Sequence, residues 1–341
     1  MHRCPFCRVL FLTSTTSDCS QVNWSSLYCL HLSSTSFYIM KRRSATLNWL
    51  AVAHGITGSM SLRTFRMSFG VDLATMRLIW SYVAFYFRTP RLTPIHLLWF
   101  LYFIKTAPSS LDVAAAALST STPTLRKYIR LVARIVSRAL PRVSSRADIS
   151  HHMLIQYLLQ MRFKDRWINW DHLVPSCMID TFAAPIQEPY LEPWEYFNTK
   201  LKCCGLVYEV VLSFGTRKII SLKGPFKGKM NDKTLCEIFT MFWDMVPGEK
   251  AMADKAYFNE RIFLFPHRGR QFRMSREQRE FNYKIYRIRQ SVERVIRRMT
   301  SFRMLKTQWR YDFEFHGDCT FAIAKIVNLS LIFEPLDRPW P

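Results

Sequence analysis

The chain has 341 residues, 49% of them apolar, with 26 Phe, which suffices for one large or two modest domains with real cores. Lys and Arg number 48 against 25 Asp and Glu, a formal charge of +23. This excess calls for a polyanionic partner, nucleic acid ahead of an anionic membrane surface, and no apolar run approaches the ~20 residues that span a bilayer.

Residues 1–61 read as a poorly structured leader rich in Ser, Thr and Cys. Cys4 and Cys7 form a CxxC, but no second pair follows at finger-like spacing, which favours a leader over a zinc site. Nine Cys, an odd number without a regular framework, suit a reducing compartment.

From Leu62 the pattern turns helical. "LRTFRMSFGVDLATMRLIWSYV" predicts two short helices separated at Gly70, and "HLLWFLYFIK" predicts a buried one. A short Ala-rich helix over Leu111–Leu118 follows. "STST" and Pro123 then predict a turn and a new helix with Thr122 as its N-cap, which together make a helix-turn-helix candidate. In that second helix Arg126, Arg130, Arg134 and Arg138 recur every four residues and so share one slowly drifting face. No acid lies between Asp112 and Asp148. A solvated basic face is the plain reading. The functional one is a recognition helix, with Arg126, Lys127, Arg130 and Arg134 on DNA.

Residues 141–148 read as a linker, and "HHMLIQYLLQMRF" as one more helix. "SCMID" then predicts a strand ending at Asp180. "LVYEVVLSF", "GTRK" and "IISLKG" predict a hairpin, and "GPFKGKMND" a loop that ends at Asp232 as the cap of a helix over 233–243. "KAMAD" predicts a strand ending at Asp254. Ser275 to Met299 is a long helix, with Phe281, Ile285, Ile288, Val292, Val295, Ile296 and Met299 at core spacing. Strands with hairpin connectivity followed by helices predict a mixed α/β domain.

Three acids stand out against the basic background: Asp180 and Asp254 at strand ends, and Glu293 beside the core position Val292. Alone, each has an ordinary role, as turn residues for the two Asp and an i, i+4 ion pair with Arg289 or Arg297 for the Glu. Together they suit hard divalent cations at a phosphodiester, with the surrounding Arg holding the polyanion.

The motifs carry a resemblance. "MIDTFAAPIQEP", "KLKCCGLVYEVVLSFGTRKIISLKGPFKGKMNDKTL", "MADKAYF" and "QREFNYKIYRIRQSVERVIRRMTSFRML" resemble the DDE endonuclease domain of PIF/Harbinger-like transposases, related to the IS5 and IS4 insertion elements. Upstream, "FRMSFGVDLATMRLIW" and the segment through "TLRKYI" are similar to the same family's N-terminal region. The resemblance implies an RNase H-like nuclease domain over residues 149–335, preceded by an all-α DNA-binding region with a helix-turn-helix over 62–148. It implies a DNA endonuclease or transposase that hydrolyses, and in the fuller reaction joins, phosphodiester bonds. Asp180, Asp254 and Glu293 would be catalytic and would hold two Mg2+ or Mn2+ ions. Arg289, Arg297 and Arg298 would hold DNA, in the nucleus, with a homo-oligomer or a separate Myb-like DNA-binding protein as further partners and no membrane. Two positions depart from the family pattern, where Thr181 and Ala256 replace Gly; against the related IS4 pattern, which Tyr286, Arg289 and Glu293 fit, Thr300 replaces a Lys. Because Gly permits backbone geometry that Thr and Ala resist, strained or shifted loops are expected there. The alternative is a domesticated, transposase-derived DNA-binding protein with little or no catalysis.

Overall fold

The computed structural model describes residues 61–84, 92–140, 175–213, 216–232, 234–235, 250–254, 257, 263–267 and 269–336. The leader over residues 1–60, the linker, the helix at 151–163, most of the helix at 233–243, and Ala256 lie outside these.

Two short helices open the described chain. Helix α1 (Leu62–Phe69) is capped by the Ser61 hydroxyl and ends at Gly70, which is left-handed with φ 79°. A side chain there would also collide, since a Cβ would stand 2.5 Å from the Phe302 ring. Helix α2 (Leu73–Val83) starts on the Asp72 carboxylate. Helix α3 (Pro94–Thr106) buries residues on every side, as its unbroken apolar run requires. Helix α4 (Leu111–Ala117) and helix α5 (Thr122–Ala139) follow one another across a short link. The cap of α5 is Ser121 rather than Thr122: the Ser121 hydroxyl accepts from the Thr124 amide, so the helix starts one residue earlier than the Pro position suggested.

The sheet follows. Strand β1 (Pro175–Pro185) pairs antiparallel with β3 (Cys203–Ser213) over nine consecutive positions from Cys177 to Pro185. Asp180 therefore lies in mid-strand and not at a strand end, because β3 offers hydrogen bonds well past it. Between them come a one-turn helix, α6 (Pro193–Tyr196), and a two-residue strand, β2 (Phe197–Asn198), on the outer edge of β3. Strand β4 (Ile219–Lys227) returns antiparallel along the same edge of β3. On the other side, β5 (Lys250–Met252) runs parallel to β1, and β6 (Phe263–Leu264) parallel to β5. The motif "GPFKG" is explained by close approach: a Cβ on Gly224 would meet the Tyr208 ring at 2.7 Å, and one on Gly228 the Tyr196 carbonyl oxygen at 2.0 Å. One sheet face holds an apolar cluster of Cys177, Ile179, Val211, Ile220, Ala251, Ala253, Tyr257 and Phe263.

Helix α7 (Arg276–Met299) packs on β1 and β3. Its start is a capping box, Ser275 with Gln278, and Ile285, Val292, Val295 and Met299 are buried as the spacing predicts. Helix α8 (Phe313–Phe333) packs against α2, α5, α7 and β4 and joins the helical region to the sheet. Two buried polar contacts fix it. Lys325 donates to the carbonyls of Ser137 and Leu140 at the end of α5, where a cation also meets the negative end of the helix dipole. The Tyr208 hydroxyl and His316 Nδ1 hydrogen bond at 2.6 Å. Burial holds His316 far below the usual histidine range, at about 3, so the ring is neutral. Among the described residues no helix is long and apolar enough to cross a membrane.

Candidate active site

Neighbouring residues of a strand face opposite sides, and at the middle of β1 both sides are polar. Asp180 faces α7 and Thr181 faces the loop after β4. The parallel register sets Met178 against Met252; β5 ends there rather than at Asp254, and two residues further on Asp180 in β1 and Asp254 just past β5 arrive side by side. One guanidinium spans them. Arg289 Nη1 donates to Asp254 Oδ1 at 3.3 Å, and its Nη2 stands 3.8 Å from Asp180 Oδ2.

Asp180 is strongly perturbed. Burial pushes its carboxyl up to about 6, and the nearby Asp232 and Asp254 add to the rise. The Thr181 amide, which donates to Asp180 Oδ1 at 2.8 Å, and the Arg289 charge oppose it. A carboxylate raised this far is favoured in its ionised form by a nearby cation.

Glu293 stands one helical turn beyond Arg289, on the same flank of α7, and is exposed. Among the described residues no three His, Cys, Asp or Glu side chains are gathered closely enough to hold a metal ion. The donor types nevertheless fit a hard divalent cation: two carboxylates already converge on one positive group, and a third acid follows one turn along the helix.

The opposite face of β1 carries acids whose place the sequence did not reveal. Asp232 is not the cap of the helix after it. Asn231 is, its side-chain oxygen accepting from the Thr234 amide at 2.8 Å. The Asp232 carboxylate is thereby left to accept from the Thr181 hydroxyl at 2.5 Å and from Lys200 at 3.3 Å. Glu209, opposite Thr181 in the β1–β3 register, is 1% exposed, and neither of its carboxylate oxygens has a hydrogen bond. Burial pushes it up to about 7, with Lys223 pulling it down and Asp232 raising it further. Only the motif "YEV" hinted at Glu209, and only the acid in "GPFKGKMND" at Asp232. Thr181, where the family pattern has Gly, sits in regular strand without a left-handed φ, so no strain arises at that position.

The basic residues divide into two kinds. Arg126 and Lys127 are exposed on α5. Arg130 and Arg134 are engaged within the protein: Arg130 pairs with Asp312 and lies over the Phe315 ring, and Arg134 is 3.7 Å from Asp318 and 3.8 Å from Glu314. The local absence of acids had suggested a free face, but the acids come from α8. Arg297 is exposed, and Arg298 donates to the Glu334 carbonyl at 2.6 Å.

Residues 179–331 match the family model described as "DDE superfamily endonuclease". Over 163 residues the chain is 29% identical to a protein of Microchaete diplosiphon called "Probable transposase for insertion sequence element IS702". That match covers 45% of this chain and 56% of the relative, so the chain spans little more than half the relative's length. No solved structure matches the chain. The matched segment runs from β1 into α8 and contains Asp180, Asp254, Arg289 and Glu293. Residues 179–331 are thus similar to DDE superfamily endonuclease domains, with a weaker likeness to a transposase.

Proposed function

We propose that this chain is a metal-dependent DNA endonuclease of the Harbinger transposase type, hydrolysing DNA phosphodiester bonds and competent for strand joining. The observation that carries this reading is the convergence of Asp180 and Asp254 on one guanidinium, with Glu293 one turn away on the same helix. The strand order supports an RNase H-like fold: β1, β3 and β4 antiparallel, with β5 and β6 parallel to β1. The link between α4 and α5 supports a helix-turn-helix that reads duplex DNA, for which the exposed Arg126 and Lys127 are placed.

Asp180, Asp254 and Glu293 would hold the divalent cations, Mg2+ or Mn2+, as hard carboxylate donors. Bound there, two such ions supply activation of a water and stabilisation of the leaving oxygen. The chain's own residues do the rest. The Thr181 amide fixes the Asp180 carboxylate in one orientation. Arg289 keeps that acid ionised and, once released, can take a phosphate oxygen, which guanidinium matches in shape and charge. Arg297 and Arg298 extend the positive surface along α7. The work belongs in the nucleus, and a Myb-like DNA-binding protein or a second copy of the chain is the partner that a Harbinger-type element brings.

Nicking of supercoiled DNA in Mg2+ or Mn2+ tests this, with wild type beside Asp254→Ala. Nicking by wild type alone supports the reading, and equal nicking by both removes it. A second reading, a DNA-binding protein with little catalysis, is favoured by one observation: Arg289 already spans the carboxylate pair and offsets part of its charge. Absence of nicking with retained duplex binding supports this second reading.

A further inference from the structure

A second positive site lies beyond Glu293 along α7. Helix α1, the start of α2, the end of α3, the end of α7 and the last turns of α8 line an open cavity of about 580 Å3. Among the described residues six cations line it: Arg63, Arg66, Lys105, Arg294, Arg297 and Arg298. The acids among its described lining residues are Asp72 and Glu334, and both are engaged. Asp72 caps α2 by accepting from the Thr75 amide and hydroxyl. Glu334 is held by Arg66. The cations therefore outnumber the acids, and they reach the cavity from segments about 200 residues apart.

The crowding leaves a mark. Burial lowers the Lys105 ammonium below the usual lysine range, and Arg66 and Arg303 lower it further. Lys105 keeps its place by donating to the Ser301 carbonyl at 2.8 Å. Like charges gathered in one cavity repel, and a multivalent anion relieves that repulsion. Guanidinium groups prefer the paired oxygens of phosphate. The cavity also adjoins the carboxylate site, since Arg294, Arg297 and Arg298 follow Glu293 on α7, Arg297 by one turn or about 6 Å of helix rise.

We propose that this cavity is a phosphate-binding site that takes backbone phosphates of the DNA flanking the cleavage point, gripping it between α1 and α7. The proposal rests on the nuclease reading only for the identity of the polyanion. Free polyphosphate has the same chemistry and is the other source that the test separates.

The test uses the full chain, with Arg63→Gln, which has no ion pair among the described residues, and Arg63→Gln combined with Lys105→Met. Binding of a duplex of about 30 base pairs is measured across a salt series, since each lost phosphate contact reduces the slope of log K against log salt by about 0.9. The expected change is about 0.9 for the single variant and about 1.8 for the double. If the double variant does not fold, the single one decides. Inorganic tripolyphosphate is titrated calorimetrically in parallel and should compete with duplex for wild type. An unchanged slope overturns the proposal. If wild type alone then binds tripolyphosphate, the cavity belongs to free polyphosphate. Asp254→Ala separates the two readings: it should keep the wild-type slope while losing nicking. Failure to lose nicking sinks the nuclease reading and leaves the slope result standing.

Discussion

Arg289 and Asp254 meet at 3.3 Å, and this contact ties helix α7 to the loop after β5. The same guanidinium reaches Asp180, so a single cation offsets the repulsion between two acids set side by side by parallel strand register. An arrangement of this kind is costly without its cation, whichever cation that is.

The first prediction concerns Arg289→Gln. At pH 8 Asp180 is ionised, and the variant leaves the Asp180–Asp254 pair without its shared positive neighbour. At pH 4 Asp180, raised to about 6, is protonated in the fold, and little repulsion remains to be offset. The variant should therefore lose about 1–3 kcal/mol at pH 8 and clearly less at pH 4. Urea unfolding at the two pH values measures this, and a pH-independent loss would mean that the guanidinium acts only through packing.

Glu293→Gln keeps the size and hydrogen-bonding capacity of the side chain while removing the charge that the proposed cations would require. Duplex affinity should stay within about twofold, and metal-dependent nicking should fall by about 100-fold or more. If the glutamine variant nicked as well as wild type, Glu293 would be an ordinary acid among arginines on an exposed helix.

Much of this architecture is legible locally. The capping box of Ser275 and Gln278 and the periodic apolar residues define α7, and the β-rich runs around "GTRK" define the hairpin of β3 and β4. What escapes the sequence depends on distant partners. Asp180 looks like a strand end because "TFAAP" has weak strand character, yet β3 carries the pairing on to Pro185. Asn231 and Asp232 are equally good caps by type, and only the Thr181 hydroxyl across the fold decides between them. Helix α8 buries residues on all sides, so it has no polar stripe to mark its period. The acids that engage Arg130 and Arg134 lie about 180 residues downstream.

Glu209 offers a stability test. Its ordinary value near 4.5 is raised to about 7 in the fold, so folding favours its protonated form. Below about pH 4.5 both folded and unfolded chains carry the proton and no penalty arises; as pH rises through 7 the folded chain must bury the charge, and stability is lost. Glu209→Gln removes that charge. It should stabilise the protein by about 2–3 kcal/mol at pH 8 and by little at pH 4. Thermal unfolding at the two pH values reads the difference, and a destabilised variant at pH 8 would show that the ionised carboxylate is needed where it lies.

The two kinds of arginine on α5 should separate cleanly. Arg126 and Lys127 are exposed, so Arg126→Ala with Lys127→Ala should leave the melting temperature unchanged. It should reduce the salt slope of duplex binding by about 1.8, the share of two phosphate contacts. Arg130 instead holds Asp312 and covers the Phe315 ring, with both charged groups partly exposed. Its replacement by Ala should cost about 0.5–1.5 kcal/mol of stability, the joint share of an exposed pair and a ring contact. The salt slope should then stay near the wild-type value, because a guanidinium committed to α8 is not free to neutralise a phosphate. A slope lowered as much by Arg130→Ala as by the exposed pair would show that DNA draws Arg130 away from Asp312, and that α5 and α8 loosen when the protein binds.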